Sequence, residues 1–213
     1  MKKIFLVGIL SILCVSVSFA QTQIRLGVTA GLNASKLIEG GDYATSYDFK
    51  AGFQAGIVAD FGITENFSIM PELLFSQRGA KYSEEEPDYK INASVTLNYL
   101  QLPVNAAYKF DLGYGSKLFV FAGPYIGYGI SAKASGNAKG DGIEIDDVPQ
   151  VKFGSKEGEI KPFDFGVNVG VGYQYDKIFF KLQYNQGLIN ISNDRDYTDR
   201  NMNVALSVGY FFL

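Results

Sequence analysis

Charged side chains recur on one side of the alternating stretches of this 213-residue chain, and they are the residues best suited to do chemistry. In an open channel they would form a selectivity ring or a ligand site. In an interior too narrow for a channel they would pack as buried ion pairs. We favour the packed network, with Glu72 as the deepest acid and Lys109 and Lys181 as its partners. The full set comprises Arg25, Lys50, Asp60, Glu72, Arg78, Lys109, Lys117, Asp164 and Lys181.

Histidine is absent from the whole chain, which removes the usual general base of serine hydrolases and a common ligand of zinc. Carboxylate pairs or a Ser-Lys pair need no histidine, but no cluster in the sequence indicates either. Residues 194–199 begin like a calcium loop but lack the glycine and the terminal glutamate of an EF-hand, so we interpret them, like residues 141–147, as a solvated acidic loop. The sequence therefore predicts that the protein is not an enzyme and has no catalytic residue, no cofactor and no metal site.

The first residues have the pattern of a secretory signal peptide. Lys2 and Lys3 are basic, residues 4–17 are apolar, and residues 18–20 (SFA) form a small-x-small cleavage site. A retained anchor is the alternative, but the stretch is too short and wrongly flanked for a membrane helix. We therefore divide the chain into a signal peptide (residues 1–20) and one barrel domain (residues 21–213).

Removal of this peptide changes two properties of the chain. It takes away the only cysteine, Cys14, so the mature protein needs no disulfide. It also takes away Lys2 and Lys3, so the formal net charge goes from −3 to −5. An acidic protein has no electrostatic reason to bind nucleic acid.

Strict alternation of apolar and polar or small residues is the main structural signal. From Phe49 to Phe61 every second residue is apolar, and Gly52, Gln54 and Gly56 lie between. This period of two predicts a β-strand with one apolar face. The pattern returns often enough to predict an all-β protein, a transmembrane up-and-down antiparallel β-barrel of eight strands. The predicted strands are residues 24–34, 49–61, 67–76, 100–110, 117–130, 163–175, 180–188 and 202–212.

The connections between these strands alternate in length. Residues 63–66, 111–116 and 176–177 form short turns, whereas residues 35–48, 79–92, 132–161 and 192–200 form long polar loops. Short periplasmic turns and long outer loops are typical of outer-membrane barrels, so we expect both termini in the periplasm. The longest loop also carries Ile143, Ile145, Val148, Val151 and Phe153, which predict a hairpin above the membrane.

Prolines in three predicted strands interrupt this regular pattern. Pro71, Pro103 and Pro124 each remove a backbone donor, so we expect a bulge or a gap in the ladder at each of them.

The residue types on the polar face of the strands indicate whether the apolar face points into the barrel or out of it. A soluble, lipocalin-like barrel would turn its apolar face inward, leaving residues such as Gly166, Asn168 and Gly170 on its surface. Glycine weakens an exposed strand, but inside a narrow barrel it leaves room for large side chains such as Phe121 and Tyr125. We therefore expect the apolar face to contact lipid.

Several short motifs resemble a known family. They are residues 71–79 (PELLFSQRG), 99–104 (YLQLPV), 121–127 (FAGPYIG), 164–166 (DFG) and 184–191 (YNQGLINI). In order and spacing they resemble the outer-membrane β-barrel family of Bacteroidota that includes PorT-like proteins. The resemblance implies an eight-stranded barrel similar to small OmpA- or OmpX-type proteins, and it implies no single activity.

The sequence as a whole predicts a non-enzymatic protein of the bacterial outer membrane whose lumen is packed. Rigid scaffolds commonly present function on their loops, so we expect a structural, adhesion or surface-binding role on the long loops. The expected partners are the lipid bilayer, lipopolysaccharide and other outer-membrane proteins. The alternatives are a narrow pore or an accessory component of a secretion complex and, third, a periplasmic lipid-binding barrel.

Overall fold

The computed structural model of the protein describes residues 24–40, 47–85, 89–140, 143–145, 150–194 and 198–212. The predicted signal peptide and Val148 lie outside these residues. The described chain forms strands β1 (Ile24–Gly40), β2 (Asp48–Gly62), β3 (Phe67–Glu85), β4 (Tyr89–Gly113), β5 (Ser116–Gly140), β6 (Ile143–Ile145), β7 (Phe163–Tyr175), β8 (Ile178–Gly187) and β9 (Thr198–Phe211).

The strands close into a ring in which each long strand pairs antiparallel with the next one along the chain. The ring is completed where β1 pairs with β9, from Gly27 opposite Phe211 to Gly40 opposite Thr198. The short strand β6 continues the end of β5 as a hairpin, with Ala138 opposite Ile145. The predicted eight-stranded up-and-down barrel is therefore confirmed, with β6 as an addition outside the ring.

No helix in the described residues is long and apolar enough to cross a membrane.

An apolar belt surrounds the barrel because alternate side chains point outward. On β4 this belt runs from Leu100, which is 45% exposed, to Phe110, which is 46% exposed. Eleven residues at about 3.4 Å each, tilted by about 45°, span roughly 26 Å, close to the height of the apolar band of outer-membrane barrels. The sequence alternation thus places its apolar face outward.

The strands continue beyond the belt at the end that carries the long connections, which we call the loop end; the opposite end, with the short turns, is the turn end. The predicted loop at residues 79–92 was wrong in this respect, since β3 reaches Glu85 and β4 begins at Tyr89. Beyond the belt the inner face becomes apolar and the outer face polar: Ala80 and Leu97 are buried inside, and Lys81 is exposed outside. Because the outer face of these extensions is polar, they lack the apolar residue at every second position that predicts the other strands.

A β-bulge marks the loop-end edge of the belt. Tyr99 lies opposite Gly129 and Asn98 opposite Ser131, so Ile130 has no partner on β4. The extra residue switches the side on which the following β5 residues point. As a result Ala132 packs inward and Lys133 is exposed.

Proline leaves gaps in the ladder without changing its register. The pairing of β3 with β4 is interrupted between Pro71 and Leu74, and that of β4 with β5 between Pro103 and Ala106. The register is the same on both sides of each gap. The expectation of ladder gaps at the prolines is confirmed for these two pairings, and no bulge occurs there.

Candidate functional site

An aromatic cluster fills the lumen near the turn end. The ring centroids of Phe179 and Phe211 are 4.7 Å apart, and those of Phe119 and Phe121 are 6.0 Å apart. Val58, Met70 and Ala107 complete this buried cluster.

Glycines on β7 make room for these rings. A Cβ at Gly172 would lie 2.1 Å from the ring of Phe119, and one at Gly170 would lie 2.4 Å from that of Phe121. Only a residue without a side chain fits between the strand and the ring at these positions.

Ion pairs cross the lumen around and beyond this cluster. Lys109 Nζ is 2.6 Å from Asp60 Oδ2, and Arg25 pairs with the same carboxylate from the turn-end rim. Lys181 Nζ is 2.5 Å from Glu72 Oε1, and both side chains are 1% exposed. A buried charge without a partner would be strongly destabilising, so these pairs hold their strands in one arrangement.

Amide side chains form the middle layer. Asn168 donates to Asn105 Oδ1 at 3.2 Å, Asn203 donates to Asn185 Oδ1 at 3.0 Å, and Asn185 donates in turn to Asn168. These bonds connect β4, β7, β8 and β9 across the interior. Hydrogen bonding of this kind is what makes polar side chains tolerable in a closed lumen.

A second charged centre lies above the amides. Asp164 Oδ2 accepts from the hydroxyl of Tyr125 at 3.0 Å and from Asn201 Nδ2 at 2.9 Å, and Arg78 Nη1 lies 3.7 Å away. Arg78 also donates to Gln101 Oε1 at 2.6 Å, and its guanidinium lies 5.3 Å from the centre of the Tyr125 ring. The charges are neutralised within the protein.

An apolar cap closes the loop end of the lumen. We define it as the buried residues Leu37, Ala80, Leu97, Tyr99 and Ile191 together with Phe153 and Ile160, which pack against them.

Phe153 reaches the cap from the connection between β6 and β7. Its ring centroid is 5.4 Å from that of Tyr99. A Cβ at Gly129 would lie 2.3 Å from the same ring. Asn193 Nδ2 holds the connection in place by donating to the carbonyls of Gly154 at 2.9 Å and Glu159 at 3.0 Å.

The predicted charged residues divide into a buried set and a peripheral set. Arg25 lies at the turn-end rim, Lys117 is half-buried at the same end, and Lys50 lies at the loop end with its Nζ 3.5 Å from Ser94 Oγ. The buried set is Asp60, Glu72, Arg78, Lys109, Asp164 and Lys181. The structure places Lys181 on Glu72, but Lys109 pairs with Asp60 instead.

Sequence reasoning missed two of the luminal aromatics. Phe179 and Phe211 are each 1% exposed, and each is next to an outward phenylalanine, Phe180 or Phe212. Strict alternation from the outward neighbour would have found both. The sequence also placed Phe153 in a hairpin above the membrane; β6 does pair with β5, but Phe153 packs into the cap.

Asp199 is a partly buried acid at the loop end whose pKa departs from its ordinary value. Burial, together with repulsion from Glu39 and Asp194, raises the pKa of this carboxyl to about 6. Its backbone N–H donates to Asn190 Oδ1 at 2.9 Å. Among the described residues, no group of three or more acidic, histidine or cysteine side chains has a geometry that could hold a metal ion.

A closed antiparallel barrel with an outer apolar belt and a polar filled lumen defines a class of outer-membrane proteins. The sequence pattern of the outer membrane protein beta-barrel domain family matches residues 19–193, and the chain belongs to this family. No curated protein matches the sequence.

Three solved structures are similar to this chain at low sequence identity. Ail, the attachment invasion locus protein of Yersinia pestis, is 11% identical with a TM-score of 0.41, and the alignment covers 88% of this chain and 98% of that chain. Neisserial surface protein A (NspA) is 13% identical with a TM-score of 0.44, covering 88% and 97%. OprG from Pseudomonas aeruginosa is 10% identical with a TM-score of 0.46, covering 88% and 95%.

Proposed function

We propose that the protein is a non-enzymatic surface protein of the bacterial outer membrane, with a sealed barrel that carries a binding surface at its loop end. The filled lumen is the observation that carries this proposal. Aromatic rings, ion pairs, amides and an apolar cap follow one another through the interior. Since the interior is occupied, a partner has to bind the outside of the barrel, at its ends or on the wall beyond the apolar belt.

The proposed orientation puts the loop end outside the cell and both termini in the periplasm. The asymmetry of the two ends supports it, because outer-membrane barrels have short periplasmic turns and longer external loops. The loop end carries the longest connection, residues 141–162 between β5 and β7, as well as the short connection at residues 86–88 between β3 and β4. At the turn end, β7 and β8 are joined by Asp176 and Lys177 alone.

Two measurements test the proposal. The first is planar-bilayer recording of the pure protein, in which we expect no discrete conductance. Reproducible conductance steps would contradict the sealed lumen and favour the narrow pore.

The second measurement is crosslinking of intact cells followed by pulldown of the full chain. A variant in which a short turn replaces residues 143–160 should fold but lose the crosslinked partner of the wild-type protein. A partner that is retained by this variant, or that is captured only through the periplasmic turns, would contradict a loop-end binding surface.

A further inference from the structure

A strip of polar side chains covers the outer wall of the barrel just beyond the loop-end edge of the apolar belt, on β2–β5. We call it the polar strip. It consists of Lys50, Gln77, Lys81, Ser83, Asn92, Ser94, Asn98, Ser131, Lys133 and Ser135.

Hydrogen bonds connect the polar strip from strand to strand. Gln77 Nε2 donates to Asn98 Oδ1 at 3.3 Å, and Asn98 Nδ2 donates to Ser131 Oγ at 2.8 Å. Farther from the belt, the hydroxyls of Ser94 and Ser135 are 3.0 Å apart. The strip is thus an ordered array of hydroxyl and amide groups, which are the groups that bind sugar hydroxyls.

A groove crosses the same array. Its volume is about 490 Å³, and the polar side chains that line it are those of Asp48, Lys81, Tyr82, Ser83, Asn92, Ser94 and Ser135. Binding sites for small molecules have volumes of roughly 300–1,000 Å³.

The polar strip carries three lysines, Lys50, Lys81 and Lys133, and one acid, Asp48, lies opposite Lys81 at its edge, so the strip is net positive although the chain as a whole has a net charge of −3. Burial lowers the pKa of Lys50, and repulsion from Lys81 lowers it further. No ion pair joins Lys50, Lys81 or Lys133 to an acid within the part of the chain that the structure describes. An anion bound between these lysines would relieve the repulsion, and phosphate is the anion that lysine commonly binds.

The height of the polar strip above the apolar belt indicates the size of the lipid headgroup that it can contact. Six residue steps on β3 separate Gln77 from Ser83, which corresponds to roughly 14 Å above the belt at a tilt of about 45°. The headgroup layer of an ordinary phospholipid is only about 5–8 Å thick on each side of a bilayer. The strip therefore extends well past a phospholipid headgroup and matches a taller one.

We propose that the polar strip binds the phosphorylated sugar headgroup of a glycolipid, lipopolysaccharide, in the outer leaflet beside the barrel. This inference rests on the orientation given under Proposed function. The lysines bind the phosphates, and the serine and asparagine side chains bind the sugar hydroxyls.

The test compares two charge-matched double variants of the full chain in nanodiscs. Lys50→Gln with Lys81→Gln removes the charges of the strip. Lys156→Gln with Lys177→Gln removes two exposed cations elsewhere. The probes are purified lipopolysaccharide, the same lipopolysaccharide after removal of its phosphates, phosphatidylglycerol and inorganic phosphate, and native mass spectrometry measures their binding.

We expect the strip variant to bind lipopolysaccharide about tenfold more weakly, as for the loss of two charge-assisted contacts at a partly exposed site. The control pair should change binding less than twofold, and removing the phosphates should abolish the difference between variant and wild type. Heat-dependent gel mobility verifies that both variants are folded.

Equal lipopolysaccharide binding by the strip variant and the wild type would overturn the proposal. Equally tight binding of phosphatidylglycerol would reduce the strip to a general anionic-lipid contact, and competition by inorganic phosphate at similar concentrations would show a site for free phosphate; either outcome also overturns it. The conductance and crosslinking results do not depend on these outcomes, so a failure here is distinguishable from a failure of the proposed function.

Discussion

Replacing Glu72 by glutamine is the most direct test of the packed lumen. The substitution keeps the shape of the side chain but leaves the ammonium of Lys181 buried without a counter-charge, since both side chains are 1% exposed. Breaking a buried ion pair from one side costs about 3–5 kcal/mol. The glutamine carbonyl still accepts one hydrogen bond, worth about 1 kcal/mol, and the rings of Phe121 and Phe179 lie near the ammonium. We therefore expect a loss of about 3 kcal/mol in the free energy of unfolding.

Urea unfolding of the barrel refolded into lipid vesicles measures this loss. With a denaturant slope of about 1–3 kcal/mol/M, the midpoint should fall by about 1–3 M. Circular dichroism is the suitable signal, because the chain contains no tryptophan. Glu157→Gln, in the exposed part of the β6–β7 connection, is the matched control and should change stability by no more than about 0.5 kcal/mol.

A double-mutant cycle separates the ion pair from ordinary packing. Lys181→Met alone leaves Glu72 unpaired, whereas Glu72→Gln combined with Lys181→Met leaves no buried charge at this position. The double variant should be more stable than the sum of the two single losses by about 2 kcal/mol or more. Additive losses, or an unchanged midpoint together with altered conductance, would refute the packed ion-pair network.

Other predictions test the remaining parts of the lumen and the loop end. Gly172→Val should prevent or strongly slow refolding because its Cβ would lie 2.1 Å from the Phe119 ring, whereas Gly40→Ala, whose Cβ would have only ordinary contacts, should refold normally in the same vesicle assay. Phe153→Ala should open the cap and, because the ring is only partly buried, cost at most about 3 kcal/mol, measured as faster hydrogen exchange of the β6–β7 connection with the barrel still folded. The raised pKa of Asp199, about 6, means that the folded protein holds this proton more tightly than the unfolded chain, so the stability of the loop end should fall as the pH rises from about 4 to 6. Asp199→Asn should flatten this dependence in hydrogen exchange across that pH range, and an unchanged slope would contradict it.

The parts of the strands that form the apolar belt could be predicted from the sequence because one rule governs them. Every outward residue there must be apolar, so alternation alone located strands such as β7, whose predicted limits agree with the structure. The extensions of β3, β4 and β5 could not be found in this way. Their outer side chains are polar and their inner ones small or apolar, a weaker pattern that we interpreted as loop.

Partners inside the lumen were harder to predict than the lumen-facing positions themselves. Alternation shows that Glu72 and Lys109 point inward, but the register between distant strands decides which groups meet. Lys181 of β8 forms an ion pair with Glu72 of β3, and Lys109 of β4 forms one with Asp60 of β2. Lys50 departs from the simple alternation, because irregular pairing between Phe49 and Gln54 carries it away from the interior network.

One change of surroundings accounts for both the cap and the polar strip. Within the belt the outer face is apolar, so the polar groups of each strand must point inward and find partners there. Beyond the belt the outer face is polar, and the interior can be closed by an ordinary apolar cluster. On β5 the bulge at Ile130 produces this change, since Ala132 packs inward against the cap and Lys133 points outward. On β3 and β4 no such shift is needed, since the inward positions continue from the polar lumen residues to Ala80 and Leu97 of the cap without a change in register.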